Sequence, residues 1–351
     1  MSVEIAPDSR TGDLPASGTC LVTGASGFIG AHVVERLVKE GYRVRCLVRQ
    51  SSDTSLLEKL GVELAVGDLH NADSLARAVE SSRYVVHCAA LVSDWATTQE
   101  IKGTNVDGTH NLLEASVATS VKRFVHVSST DIYGHPDTEI DETYTSTRFA
   151  NWYSQTKLLA EEEVHRAGDS STMEIVILRP ATVYGPGSED VIGEIARAIR
   201  GGHMLLIDRG RVIAGLCYVE NLVDAVLLAL EHPNAPGEAF NVTDGLPVTW
   251  RELADDLARG LDAKRVRWSM PYWLAGSIGF ALEHGYRALR RTTGLEMAPL
   301  LSRQAVQVLG RDQNFSNHKA RERIGWKPRV DYHRGLKATL QWLCSDYLKD
   351  T

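Results

Sequence analysis

Residues 19–30 read TCLVTGASGFIG, and a helical pattern, FIGAHVVERLVKEG, carries on to residue 41. Small apolar and β-branched residues lead into Gly24, Gly27 and Gly30 before that helix begins. A strand-to-helix turn presents free backbone N–H groups and the positive end of the helix dipole, which suits a pyrophosphate. Glycine belongs where the backbone must approach such an anion closely. A glycine triplet by itself also describes a flexible turn with a small residue packed on a sheet. The strand before it and the helix after it favour dinucleotide binding.

Working outward, short β-branched runs alternate with helical patterns: YRVRCLVR, SLLEKL, VELAVGD, SLARAVE, RYVVHCAA, NLLEASVATS and RFVHVSS. The strand EIVILRP follows a helix carrying YSQTKLLAEEEV. That alternation predicts a parallel sheet with helices on both faces. The strands lack a period of two because both faces are covered. After residue 180, Pro and Gly punctuate ATVYGPGS, and helical patterns at 190–200, 221–232 and 250–260 are separated by short strands such as AFNVTD. These pieces predict a smaller second lobe over one end of the sheet, with a cleft between the lobes.

At 351 residues the chain is long enough for about two lobes. Its 38 Lys and Arg against 45 Asp and Glu give a formal charge of −7, which argues against a nucleic-acid partner. The five cysteines are scattered with no C-x-x-C pair, so neither a zinc site nor a disulfide framework is expected, and no metal is. Residues 1–17 read as a polar mobile tail without a signal peptide's apolar core. A reducing, cytoplasmic compartment is the expectation. No apolar run reaches the roughly 18 residues of a membrane span; the nearest, WLAGSIGFALEHGY at 273–286, contains Glu283 and His284.

The GxxGxxG spacing of TGASGFIG resembles the extended branch of the short-chain dehydrogenase/reductase superfamily. Further motifs carry the likeness in order: Gly67-Asp68-Leu69, His87-Cys-Ala89-Ala90, Asn105-Val-Asp-Gly-Thr at the start of a helix, and Leu178-Arg-Pro180-x-x-Val183-Tyr-Gly-Pro-Gly. CYVENLVDAV and FSNHKARERIGWKP resemble the family's C-terminal lobe. The resemblance implies a Rossmann-type doubly wound parallel α/β sheet with a smaller mixed α/β C-terminal substrate lobe. It places the NAD(P)-binding domain at 18–180 and 212–245, and the substrate lobe at 181–211 and 246–345. The expected cofactor contacts are Gly24, Ser26, Gly27, Phe28, Ile29, Gly30, Arg49, Ser52, Asp68, Leu69, Ala89, Ala90, Tyr153, Lys157, Pro180 and Val183.

A carboxylate at the end of the second strand would bind a ribose 2′-hydroxyl, whereas a cation accommodates a 2′-phosphate. The sequence there is CLVRQSSD, with Arg49 in the discriminating place and Ser51 and Ser52 beside it. NADP(H) is favoured on this ground. Asp53 keeps NAD(H) open, and Arg49 also reads as an ordinary solvated arginine.

Tyr153-Ser-Gln-Thr-Lys157 opens a predicted helix, and an i,i+4 spacing puts both side chains on one face. A nearby buried ammonium would lower the phenol's pKa. Alone, Y-x-x-x-K is common; Ser129, 24 residues upstream at a strand end, gives it weight. The resemblance implies Ser129, Tyr153 and Lys157 as the catalytic set, with Tyr153 as proton donor. Side chains alternate in a strand, so only one of Ser129 and Thr130 can face the cofactor; the family pattern favours Ser129. Asn105 resembles an asparagine that orders the lysine through water, or it caps or bends its helix.

Elimination chemistry in related dehydratases uses an adjacent Asp-Glu pair, and SSTDIYG offers Asp131 alone. Ketone reduction then stands against nucleotide-sugar 4-epimerisation. LVSDW at 91–95 and LLSRQAVQVLGRDQNFSNHKARERIGWKP at 300–328 resemble the 3β-hydroxysteroid dehydrogenase-like subgroup. That likeness implies an NADPH-linked ketoreductase for a lipophilic, sterol-like, polycyclic or β-keto substrate. Asp94, Trp95 and Thr130 are candidate substrate contacts. The apolar, aromatic stretch after residue 268 reads equally as core, as pocket wall or as a peripheral membrane contact. The resemblance also implies a homodimer.

Overall fold

Seven strands form the central sheet: β1 (Thr19–Thr23), β2 (Arg43–Val48), β3 (Glu63–Val66), β4 (Ser82–His87), β5 (Arg123–Val127), β6 (Glu174–Pro180) and β7 (Ala239–Val242). The computed structural model describes residues 18–93, 96–134, 136, 138–146, 152–293 and 302–349, without the side chains of 284 and 287–293. All strand pairings in this sheet are parallel, in the order β7-β6-β5-β4-β1-β2-β3. The principal helices are α1 (Phe28–Lys39), α2 (Ala72–Val79), α3 (Gly108–Ala118), α4 (Trp152–Asp169), α5 (Val219–Glu231) and α6 (Tyr272–Thr293).

Both faces of the sheet are covered, which is why β1 and β5 are buried at every position. Cys20 and Val22 of β1 pack with Val33, Val34 and Leu37 of α1 and Leu222, Val226 and Ala229 of α5. The intervening Leu21 packs on the other side with Leu75, Leu112 and Val164 from α2, α3 and α4. Pleat alternation thus sorts one strand's side chains into two hydrophobic layers.

A separate core, including Tyr184, Ile192, Leu216, Trp250, Leu257 and Leu336, gathers the chain that follows β6. Val183 packs against both this core and the α1 side of the sheet. Trp326, from the GWKP motif, is fully buried and donates from Nε1 to the Asn221 carbonyl at 2.9 Å, tying the C-terminal segment to α5.

The strand order reverses at β1, whose neighbours are β2 and β4. In such sheets a crevice opens beyond the carboxyl ends of the strands at the reversal. Gly24, Gly27, Arg49, Asp68, Leu69, Ala89 and Ala90 line the cavity found there.

One expectation is corrected. Asn105-Val-Asp-Gly-Thr does not begin its helix: helix starts at Thr98, behind a capping box in which Thr97 and Glu100 satisfy each other's backbone N–H groups. Asn105 falls in a π-helical turn, Gly103–Asp107, before α3.

Candidate functional site

The glycine turn is built by contacts within itself. Gly24 takes φ +66°, and a Cβ there would lie 2.7 Å from the Ala89 nitrogen at the end of β4. A Cβ on Gly30 would lie 2.1 Å from the Gly24 carbonyl oxygen, so the helix can approach the turn only with glycine at that place. Gly27 is the N-cap of α1; no side chain caps this end and its first turn holds no acidic residue. The donors and the dipole are left for an incoming anion.

In front of this turn lies a cavity of about 910 Å³, lined by Gly24, Ser26, Gly27, Arg49, Ser52, Asp68, Leu69, Ala89 and Ala90 among others. Phe28, Ile29, Gly30, Pro180 and Val183 do not line it. Phe28 instead packs edge-to-face on His32. A second cavity of about 590 Å³ adjoins the first at Arg49, where Arg77, Asn71 and Ser74 complete its wall. Arg77 was missed by the sequence reading, because a helix arginine 28 positions from Arg49 carries no local signal. Asp53 turns away: its Oδ1 accepts from the backbone N–H (3.0 Å) and hydroxyl (2.7 Å) of Ser55. Those bonds hold its carboxyl below the usual range.

Beyond β5 and at the start of α4 the expected trio comes together. Ser129 lies close enough to the Tyr153 phenol to oppose the upward shift of its pKa, and its Oγ accepts from the Asp131 N–H at 3.1 Å. Thr130 is buried, 1% exposed. Lys157 is buried one turn along α4 and donates from Nζ to the Val127 carbonyl at 2.7 Å.

The electrostatics correct one expectation. Burial pushes the Tyr153 phenol up, the Asp131 carboxylate pushes it further, and Ser129 opposes both only in part. Desolvation outweighs any help from the lysine, whose ammonium is turned to the β5 carbonyl. Burial likewise lowers Lys157 from 10.5 to about 8, against the pull of Glu161. Beneath it, burial and then the lysine's charge hold His87 at about 3 and His126 far below its ordinary value. His87 bridges Thr23 (2.6 Å) and Thr109 (2.9 Å), while neither ring nitrogen of His126 has a partner among the described residues.

Residues absent from the sequence reading brace this corner. Glu161 of α4 takes Arg179 of β6 through three contacts of 2.6–3.2 Å, with both side chains buried. Arg179 donates to the Tyr133 hydroxyl at 2.8 Å, and Tyr133 donates to Asn241 of β7 at 2.7 Å. The helix bearing the phenol and the lysine is therefore tied to the sheet's far strands. Asn105 is buried; its amide pairs with the N–H (2.7 Å) and carbonyl (3.1 Å) of Leu91 and with Thr156. It fixes the loop after β4 against α4 rather than capping a helix. Asp131 meets Gln304 of the C-terminal lobe at 3.2 Å.

Asp94 and Trp95 lie outside the described residues. Of the aromatic stretch, Trp273 is 70% exposed and Phe280 52%, while Trp268, 72% exposed, lines a separate cavity of about 500 Å³ with Met204, Lys264 and Arg267. Tyr286 of α6 does reach the groove and joins its wall. Among the described residues no group of acidic, cysteine and histidine side chains could hold a metal ion.

A glycine-cradled crevice at a strand-order reversal defines a nucleotide-binding fold of the short-chain dehydrogenase/reductase kind; Ser129, Tyr153 and Lys157 gather beyond β5 and do not line the 910 Å³ cavity. The chain belongs to the NAD dependent epimerase/dehydratase family, whose sequence profile matches residues 20–243. It is 32% identical over 324 residues to the 4-hydroxy-2-methyl-3-oxo-4-farnesyl-3,4-dihydroquinoline-1-oxide ketoreductase of Stigmatella aurantiaca, covering 91% of this chain and 95% of that one. It is 31% identical to the 3-beta-hydroxysteroid dehydrogenase of Mycolicibacterium neoaurum, covering 89% and 87%. The UDP-glucose 4-epimerase of Thermotoga maritima superimposes with a TM-score of 0.75 at 24% identity, covering 92% and 98%, a likeness of fold. The protein is an oxidoreductase of this family.

Proposed function

We propose that the protein is an NADPH-dependent ketoreductase that converts a lipophilic ketone to a secondary alcohol. The observation that carries this reading is the buried Tyr153 phenol beside Ser129, with the buried Lys157 one helical turn away. Because burial and Asp131 raise its pKa, the phenol is protonated at neutral pH and rests as a donor.

The nicotinamide cofactor, when bound, supplies the hydride. Tyr153 gives its proton to the substrate oxygen as negative charge develops there, and Ser129 donates a second hydrogen bond to the same oxygen. Lys157, whose ammonium donates to the Val127 carbonyl, would hold the ribose hydroxyls once the cofactor is bound. The pyrophosphate belongs at Gly27 and the free N-terminus of α1. Arg49 and Ser52, with Arg77 in the adjoining cavity, form a cationic place for a 2′-phosphate, and the engagement of Asp53 with Ser55 supports NADP over NAD.

Relatives named as a farnesylated-quinoline ketoreductase, a 3-beta-hydroxysteroid dehydrogenase and a 2-alkyl-3-oxoalkanoate reductase support an apolar substrate with a keto or hydroxy group. The epimerase alternative is supported by likeness of fold alone. The reading includes the two-lobe division at residues 180, 212 and 245, contacts from Asp94, Trp95 and Thr130 to the substrate, and a cytoplasmic homodimer. Incubation with NADPH and a hydrophobic ketone tests it. A reductase consumes nicotinamide absorbance in proportion to product; an epimerase turns over a nucleotide sugar with no net change, and that result would overturn the reading.

A further inference from the structure

We infer that the outer face of α6, together with Trp268, docks on a membrane surface carrying anionic lipid headgroups. This deepens the lipophilic-substrate reading, and its test is made without turnover. The helix has two opposed faces. Its inner face, Ala275, Gly279 and Tyr286, is buried: Ala275 packs with Ile207 and Val306, Gly279 lies against the Ser302–Arg303 backbone, and Tyr286 enters the cofactor groove. Trp273 and Phe280, seven residues apart, project from the opposite face at 70% and 52% exposure.

Isolated exposed apolar residues are ordinary, but Trp273 and Phe280 share one face of α6, and Trp268 stands exposed five residues before the first of them. Indole suits the boundary between headgroups and acyl chains. The helix is about 33 Å long at 1.5 Å per residue, and no helix among the described residues is long and apolar enough to cross a membrane. A helix of this kind lies in the plane of the interface.

Charge complementarity chooses the occupant. From Lys264 to Thr293 the sequence holds six cationic residues, of which Arg265 is paired with Asp255, and one carboxylate, Glu283, which is buried, in a chain of formal charge −7; Asp208 accepts from the Tyr272 N–H at the start of α6. Lys264 and Arg267 are exposed beside Trp268. Arg303 lies 5.8 Å over the Phe280 ring and Arg311 4.6 Å over that of Tyr272. An apolar edge bordered by cations on an acidic protein matches an anionic bilayer surface. The same helix places Tyr286 in the groove wall, so the docked face and the site share one rigid element.

The test is co-sedimentation of the full-length protein with phosphatidylcholine vesicles and with vesicles containing one quarter phosphatidylglycerol. The protein is expected to pellet with the anionic vesicles, with a blue shift of tryptophan emission. The Trp268→Ser/Trp273→Ser/Phe280→Ser variant should lose roughly tenfold or more in partitioning, and Lys264→Glu/Arg267→Glu about tenfold on anionic vesicles alone. Unchanged NADPH affinity would show that both variants are folded. Wild-type protein that stays in solution with both vesicles, or a triple variant that pellets normally, would overturn the inference. So would a triple variant whose mass by light scattering halves, because the face would then join two copies of this chain.

Discussion

The nucleotide rim and the buried corner that holds the phenol are built by opposite rules. In that corner Tyr153, Lys157, Glu161 and Arg179 are all buried, and the last three answer to partners fixed by another strand or helix. At the nucleotide rim Arg49 is exposed, Ser52 accepts only from the Arg49 N–H, and Asp53 bonds within its own turn. Proton transfer needs groups whose ionisation is set by burial, and burial demands bracing. Recognition of a 2′-phosphate needs only cations within reach, so the rim tolerates change.

The sharpest way to break this contrast is Tyr153→Phe. Loss of the donor should cost about 10²–10⁴-fold in kcat, with the dissociation constant for NADPH little altered. A fully active variant would remove the distinction between the two regions. Next is Glu161→Gln, which strands the buried Arg179 charge and should lower unfolding stability by about 3–5 kcal/mol, read as a denaturant midpoint. Arg49→Ala, on the open rim, should raise the KM for NADPH about tenfold and leave that for NADH and the unfolding midpoint unmoved. Equal rises for both cofactors would make the rim a general binding site.

The smallest effect is one of pH. Lys157 titrates at about 8 when folded and at its ordinary 10.5 when unfolded. Between those values the unfolded chain holds more protons, so stability linked to this group rises with pH. Above pH 10 the raised phenol acts in the opposite sense. The advantage of Lys157→Met over wild type in unfolding midpoint, without cofactor, should therefore shrink from about pH 8 to pH 10.

The sequence was legible where structure is local. Gly24, Gly27 and Gly30, the strand patterns and the i,i+4 spacing of Tyr153 and Lys157 each report on one turn of chain. The Glu161–Arg179–Tyr133–Asn241 network was not legible, since its members come from four separate elements and meet only when β5, β6 and β7 align. The direction of the phenol's pKa was misread for a related reason. Spacing shows that a lysine lies near, but only coordinates show that its ammonium is spent on Val127 while desolvation dominates. Hydrophobic patterning found α6 but not its orientation, because an apolar helix reads the same whether its second face meets protein, lipid or water.

The three glycines of the opening turn are not equivalent witnesses to a nucleotide. Two of them answer to steric exclusion within the polypeptide, since any Cβ at 24 or 30 would collide with neighbouring backbone whether or not a ligand ever arrived. At 27 the nearest neighbour of an added Cβ is 3.3 Å away, tight but not prohibitive. A descendant that abandoned its cofactor would have to keep the first and third glycines in order to fold, and would be freer to change the second. Of the three letters, the middle one testifies most directly to the ligand.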